Sequence, residues 1–198
     1  MLLFMVLGAM NTFAQDADSL LATLGGEESI PLLPEKMSVS KRWLWAENGL
    51  MRKSERFKLT PDNRDRELDL RRKMLVTHQF AGYLTSALMV GTAVFGGLSY
   101  DNPVKYRKYH EGFQAATVVS YAATGALSLF SPPPLVVEGK KLSNIKVHRI
   151  LAYIHGAGMI TNGLFGEALL SNGHRNIHRI VGYTTAGALW GAMIVMKF

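Results

Sequence analysis

From residue 74 onward, long apolar runs alternate with short polar breaks. The first run covers residues 74–98, and nothing between 79 and 98 carries a charge. The second covers 109–130, the third 147–170 and the fourth 178–196. Each is close to the ~20 residues an α-helix needs to cross a ~30 Å hydrocarbon core. The pattern predicts an all-α protein, an integral membrane four-helix up-down bundle over residues 74–198. The breaks fit that order. "SYDNPVKYRKY" (99–109) predicts a polar turn, "SPPPLVVEGKKLSN" (131–144) stops a helix at its prolines, and "SNGHRN" (171–176) predicts a tight Asn-Gly turn. Short connections make consecutive helices antiparallel neighbours, with the first diagonal to the third and the second to the fourth.

Upstream the pattern changes. "MLLFMVLGAMNTFAQ" holds an apolar stretch too short to span a bilayer, followed by small residues. It predicts a signal peptide over 1–14 with cleavage after Ala14, the alternative being an uncleaved interfacial anchor. Residues 15–73 predict an extramembrane linker and helical arm. "VSKRWLWAENGLMRK" mixes Trp43, Leu44, Trp45 and Leu50 with cations, as in a helix lying at a membrane surface; an ordinary solvated segment is the other reading. "TPDNRDRELDLRRK" (60–73) offers Thr60 as N-cap and Pro61 at the first helical position, and predicts a charged helix running straight into the first span.

Charge adds orientation and excludes some chemistry. The chain has 22 Lys and Arg against 15 Asp and Glu, net +7, and no cysteine. Disulfides, iron–sulfur clusters and Cys-ligated zinc are excluded. The cations flank apolar runs rather than forming a basic face, which points to membrane lipid and away from nucleic acid. A cleaved leader implies a bacterial inner membrane with the arm in the periplasm. Arg71, Arg72, Lys73, Lys140, Lys141, Lys146, Arg149 and Lys197 fall on that face, and Lys105, Arg107, Lys108, Arg175 and Arg179 on the other. The positive-inside tendency leans the opposite way. The leader carries more weight, the cation difference being small.

Six histidines remain: 78, 110, 148, 155, 174 and 178. His78, His110, His148 and His178 each stand at the entrance of one span. Because the helices alternate in direction, His78 and His148 share one face and His110 and His178 the other. The separations of 70 and 68 residues suggest a two-helix unit used twice. Two imidazoles opposed across a bundle axis suit a six-coordinate haem iron. The residues one turn on are Gly82, Gln114, Ala152 and Gly182, three of them small enough to clear space for a flat macrocycle. Gly156, Ala186 and Gly187 extend that clearance. Ordinary small-residue helix packing, headgroup contact, a non-haem metal and a proton path stand as alternatives. A single four-His zinc or copper site fits badly, since the pairs lie at opposite faces.

The set "HQFAGY", "HEGFQA", "HRILAY" and "HRIVGY" resembles the transmembrane core of the cytochrome b561 family. "HRIVGYTTAGALWGAMI" is similar to that family's HR-x-x-G ligand helix and "HEGFQ" to its H-x-x-x-Q helix. The likeness covers roughly residues 74–198. The chain departs from the family in lacking its outer helix pair, and residues 15–73 match no electron-donating domain. The resemblance implies two haem b groups, one held by His78 and His148 and one by His110 and His178. It implies Arg149 and Arg179 as propionate partners, helped by Lys140, Lys141 and Lys146 at one face and Lys105, Arg107 and Lys108 at the other. His155, seven residues beyond His148, is a rival ligand or a buried hydrogen-bond partner. His174 is expected exposed in its turn. Glu111 and Glu167 share a face where they would accept protons from a quinol. The implied function is transmembrane electron transfer, with quinol or a soluble or membrane redox partner as donor or acceptor. A cytochrome subunit of a larger quinone-linked complex, or a haem-free structural or assembly subunit, is the alternative.

Overall fold

Helix α1 (Val39–Trp45) is followed by two 3₁₀ turns, Leu50–Lys53 and Glu55–Phe57. Four long helices complete the chain: α2 (Pro61–Asp101), α3 (Pro103–Leu129), α4 (Asn144–Ser171) and α5 (Arg175–Lys197). The computed structural model describes residues 31–135 and 143–197, and no strand occurs among them. Residues 33–198 form one unit, to which everything below belongs. The leader expected over 1–14, and Lys140 and Lys141, lie outside the described residues.

Local chemistry sets the helix ends. The Thr60 side chain accepts from the Asn63 amide with Pro61 in the first turn, and α2 runs unbroken through residue 73 into the apolar segment. The polar turn expected over 99–109 shrinks to Asn102 alone. Pro103 stops α2 and starts α3, and the Asn102 side chain accepts from the Lys105 amide, so both helices run up to a single hinge residue. Ser143 caps α4 in the same way. At the Asn-Gly turn, Gly173 takes φ +78°; the Gly173 amide donates to the Leu170 carbonyl and the His174 amide to the Leu169 carbonyl. This double closure needs a left-handed residue, which glycine adopts without strain.

Helices α2 and α3 pack closely as one antiparallel hairpin, and α4 and α5 as another. The hairpins approach each other more sparsely, mainly through α2 and α5. Their meeting point is a small apolar core of Met89, Ala186 and Leu189, with Met159 and Trp190 against it. Much of the remaining interior is polar: Thr85, Ser86, Thr117, Thr124, His155 and Thr185 are buried. Thr85 Oγ1 bonds Ser120 Oγ at 2.7 Å and Thr124 Oγ1 at 3.1 Å, and Thr92 Oγ1 bonds Thr117 Oγ1 at 2.8 Å. Large apolar side chains point outward from all four helices, among them Phe80 (70% exposed), Val119, Tyr153 (71%), Leu164 (74%) and Ile180.

The sequence pattern predicts four spans. Among the described helices, α2 alone is long and apolar enough to cross a membrane by length and composition. In α3, α4 and α5 the apolar residues are interleaved with the Gly, Ser, Thr, Asn and His that face inward, which dilutes their hydropathy.

The arm also differs from expectation. Trp45 is buried rather than lying at a surface, its Nε1 donating to the Phe130 carbonyl at 2.9 Å, while Trp43 is exposed. The reason lies at the C-terminal end of α3, where the last carbonyls lack helical partners and the following prolines offer no amide. The arm supplies the donors. Ser40 Oγ donates to Leu129 O (2.9 Å), Arg71 Nη1 to Pro132 O (2.8 Å) and Arg64 Nη2 to Pro133 O (3.1 Å). Glu67 is fully buried between Arg52 and Arg64 and pairs with both. Arg52 also donates to the carbonyls of Trp45 and Phe57, tying α1 and the 3₁₀ turns to α2.

Candidate functional site

The four entrance histidines meet in two couples between the hairpins. The His78 and His148 rings lie 6.3 Å apart, centroid to centroid, at 83°. The His110 and His178 rings lie 6.2 Å apart at 88°. Two imidazoles sharing one metal through bonds of about 2 Å, with each ring centre about 1.1 Å behind its nitrogen, stand roughly 6.3 Å apart. Both couples match that span.

Each ring is oriented by the partner helix of its own hairpin. His78 Nδ1 donates to the Thr124 carbonyl (2.8 Å), His110 Nδ1 to the Thr92 carbonyl (3.0 Å) and His148 Nδ1 to the Ala192 carbonyl (3.0 Å). A carbonyl only accepts, so the proton sits on Nδ1, and in the neutral ring Nε2 then keeps its lone pair. Metal-binding histidines have the same arrangement, which fixes tautomer and ring plane. His178 Nδ1 is buried with no partner, as is Asn162 Oδ1, while Asn162 Nδ2 donates to the His178 carbonyl at 3.0 Å.

The repeat extends to these acceptors. His148 follows His78 by 70 residues and Ala192 follows Thr124 by 68; Asn162 follows Thr92, and Gly166 follows Gly96, by 70. Gly96 and Gly166 play one role. A Cβ at Gly96 would stand 3.0 Å from the His110 ring, and one at Gly166 3.2 Å from the His178 ring. Both histidines present their Cε1–Nδ1 edge to a glycine.

A cavity of about 700 Å³ surrounds the second couple, within the ~300–1,000 Å³ of small-molecule and cofactor sites. Gln114, Gly182, Asn162, Gly97 and Tyr183 line it together with His110 and His178. Its rim carries Arg107, Glu111, Glu167, Arg175 and Arg179. Arg107 and Glu111 pair at 2.7 Å, which raises the guanidinium pKa, and Arg179 lies 4.5 Å over the Tyr100 ring. At the first couple, Gly82 and Ala152 are half-buried, and a Cβ at Gly82 would meet nothing within 4 Å. The backbone at Gly82, one turn on from His78, therefore borders open space. Among the described residues no group of three or more His, Asp or Glu side chains gathers to hold a bare metal ion.

The remaining sequence candidates separate. His155 is buried and turns to Tyr121, whose hydroxyl lies 2.9 Å from His155 Nδ1. It occupies the place 70 residues after Thr85, so the second hairpin has a ring where the first has a hydroxyl. Gly156 lies beside the same Tyr121 hydroxyl, Ala186 is in the apolar core and Gly187 faces outward. Arg149, Lys108 and His174 are exposed, and Lys105 Nζ lies 5.0 Å from the Tyr106 ring. Sequence reasoning missed Lys41, Asn162 and the carbonyls of Thr92, Thr124 and Ala192. Only the 70- and 68-residue offsets, applied beyond the histidines, would have found Asn162 and Ala192.

Comparison with protein-family models, curated proteins and solved structures yields no match to this chain.

Proposed function

We propose that the chain is a membrane-embedded four-helix electron-transfer protein resembling the cytochrome b561 core, with one b-type haem between His78 and His148 and another between His110 and His178. The single observation that carries this reading is the duplicated geometry: two perpendicular imidazole couples 6.3 and 6.2 Å apart, with three of the four rings holding their proton on Nδ1 through a backbone carbonyl. Gly82, Gly96 and Gly166 fit a bound macrocycle by leaving room beside or behind the rings. The cavity at the second couple is of cofactor size.

Haem held by His78 with His148, and by His110 with His178, would supply one-electron transfer. The chain's part is to hold and space the two sites. On α2, His78 marks the first site and Thr92, which accepts from His110, the second. Fourteen residues of helix separate them by ~21 Å. That spacing fits inside a ~30 Å hydrocarbon layer and divides it into shorter hops. The Met89–Leu189 core between the couples keeps water out of the middle. Outward Phe80, Tyr153, Leu164 and Ile180 over an interior of threonine, serine and histidine support four lipid-facing helices, the inverse of a water-soluble bundle. At the second couple, Glu111 and Glu167 stand on the cavity rim, positioned to take protons from a quinol-type donor.

A pyridine haemochrome assay on the purified chain tests the reading. Two haems per chain are expected, falling to one in His78→Ala and one in His178→Ala. A colourless protein after haem-supplemented expression would sink it and favour a structural or assembly subunit.

A further inference from the structure

We propose that the extramembrane arm is a latch that carries Lys41 onto the His78–His148 site, where Lys41, Arg71 and Arg149 form a three-cation seat for the propionate carboxylates of the haem held there. The inference rests on the reading above and deepens it at one of the two sites.

Three observations meet. The arm is fastened rather than draped. Glu67 joins Arg52 and Arg64 in a fully buried triad, and Ser40, Trp45, Arg64 and Arg71 each donate to the carbonyls of residues 129–133 at the end of α3. Ser40 and Arg71 hang from the same short loop, which brings the neighbouring Lys41 and the Arg71 side chain together. That end of the bundle is also the end of the first couple: Thr124, one and a half turns before the loop, accepts from His78, and His148 is followed directly by Arg149.

The second observation is a group of cations with no counter-ion among the described residues. Among the described residues no carboxylate pairs with Lys41, Arg71 or Arg149. Burial, with the Arg71 and Arg149 guanidinium groups behind it, pushes the Lys41 ammonium down to about 8; burial and Arg64 push Arg71 down. Charged groups gathered and partly desolvated without a counter-ion destabilise the chain that holds them. An anion seated among them reverses the sign. Carboxylates suit two guanidinium groups and an ammonium, which offer forked and point donors together.

The third is asymmetry. Among the described residues no counterpart of the arm covers the second couple, whose rim mixes Arg107, Arg175 and Arg179 with Glu111 and Glu167. The two sites are duplicates in their histidines and differ in what faces their outer edge.

The test uses the full-length holoprotein in detergent and the variants Lys41→Gln and Lys41→Arg, with Lys36→Gln on the exposed part of the arm as a charge-matched control. Resonance Raman reads the propionate-bending band, and a redox titration reads each midpoint potential. In Lys41→Gln, two haems per chain are expected to remain while the band shifts and one of the two potentials falls. A cation beside the site favours the reduced, more negative state, so its loss lowers that potential. Lys41→Arg restores both readouts and Lys36→Gln leaves them unchanged. Two haems with an unmoved band and unmoved potentials would overturn the latch and leave the haem reading standing. An unmoved band with slower reduction by dithionite would assign the cations to a free anion and overturn it too. A wild-type chain without haem would remove the reading and the latch together.

Discussion

At His78, three constraints act on one side chain: it enters an apolar stretch, gives its Nδ1 proton to Thr124 and faces His148. Gly82, one turn on, matters only by what it lacks. Since a Cβ there meets nothing within 4 Å, Gly82→Leu leaves the apo fold intact and fills the space beside His78. Haem content is expected to fall from two to one per chain, with the loss confined to the first site. Lys41 gives a pH signature. Its folded pKa of about 8 lies below the ordinary 10.5, so the folded chain disfavours the charged form. The penalty is fully present below about pH 8 and fades as pH rises from there to 10.5. In haem-free protein, Lys41→Met is expected to melt higher than wild type at pH 7, and the difference to shrink by pH 9.5. A gap independent of pH would count against a desolvated ammonium.

Helix α2 is two elements in one. Its first three turns are charged and hold the arm, and the remainder is apolar and carries Thr85, Met89 and Thr92 into the bundle. The Arg52–Glu67–Arg64 triad decides whether the arm stays on. Arg64 is 1% and Glu67 0% exposed, and removing the carboxylate strands two guanidinium groups away from water. Breaking a buried pair this way costs about 3–5 kcal/mol. Glu67→Ala is expected to release residues 38–60 to protease and to rapid amide exchange while α3, α4 and α5 keep their protection. Uniform loss of protection would mean that arm and bundle unfold as one. Thr60, Asn102 and Ser143 caps and the Gly173 turn set the other helix boundaries; the Thr60 cap and the Asn-Gly turn were readable in advance, while the Asn102 and Ser143 caps and the reach of α2 through Asp101 were not.

At the largest scale, residues 61–129 and 144–197 form two helical hairpins set face to face, touching at Met89, Ala186 and Leu189 and holding an imidazole couple at each end of that contact. Thr85, Thr117, Thr124, Thr185 and His155 are buried while Phe80, Tyr153, Leu164 and Ile180 stand exposed, an arrangement that water penalises and lipid rewards. The chain is therefore expected to stay in membranes washed with alkaline carbonate and to leave only with detergent. Release by carbonate would contradict four lipid-facing helices. Since among the described helices α2 alone meets length and composition for a span, the outcome turns on α3, α4 and α5.

The sequence by itself determined the helices, their order and the couples. Apolar runs of span length and a histidine at each entrance, 70 and 68 residues apart, suffice for that, because helix period and chain direction leave little freedom. Tertiary structure decided the rest. Which carbonyl each imidazole uses depends on register between neighbouring helices, which periodicity does not encode. His155 turning to Tyr121 follows from packing between hairpins, and Trp45 turning inward follows from orphaned carbonyls 85 residues away in sequence. Neither partner lies near enough along the chain to leave a local signal.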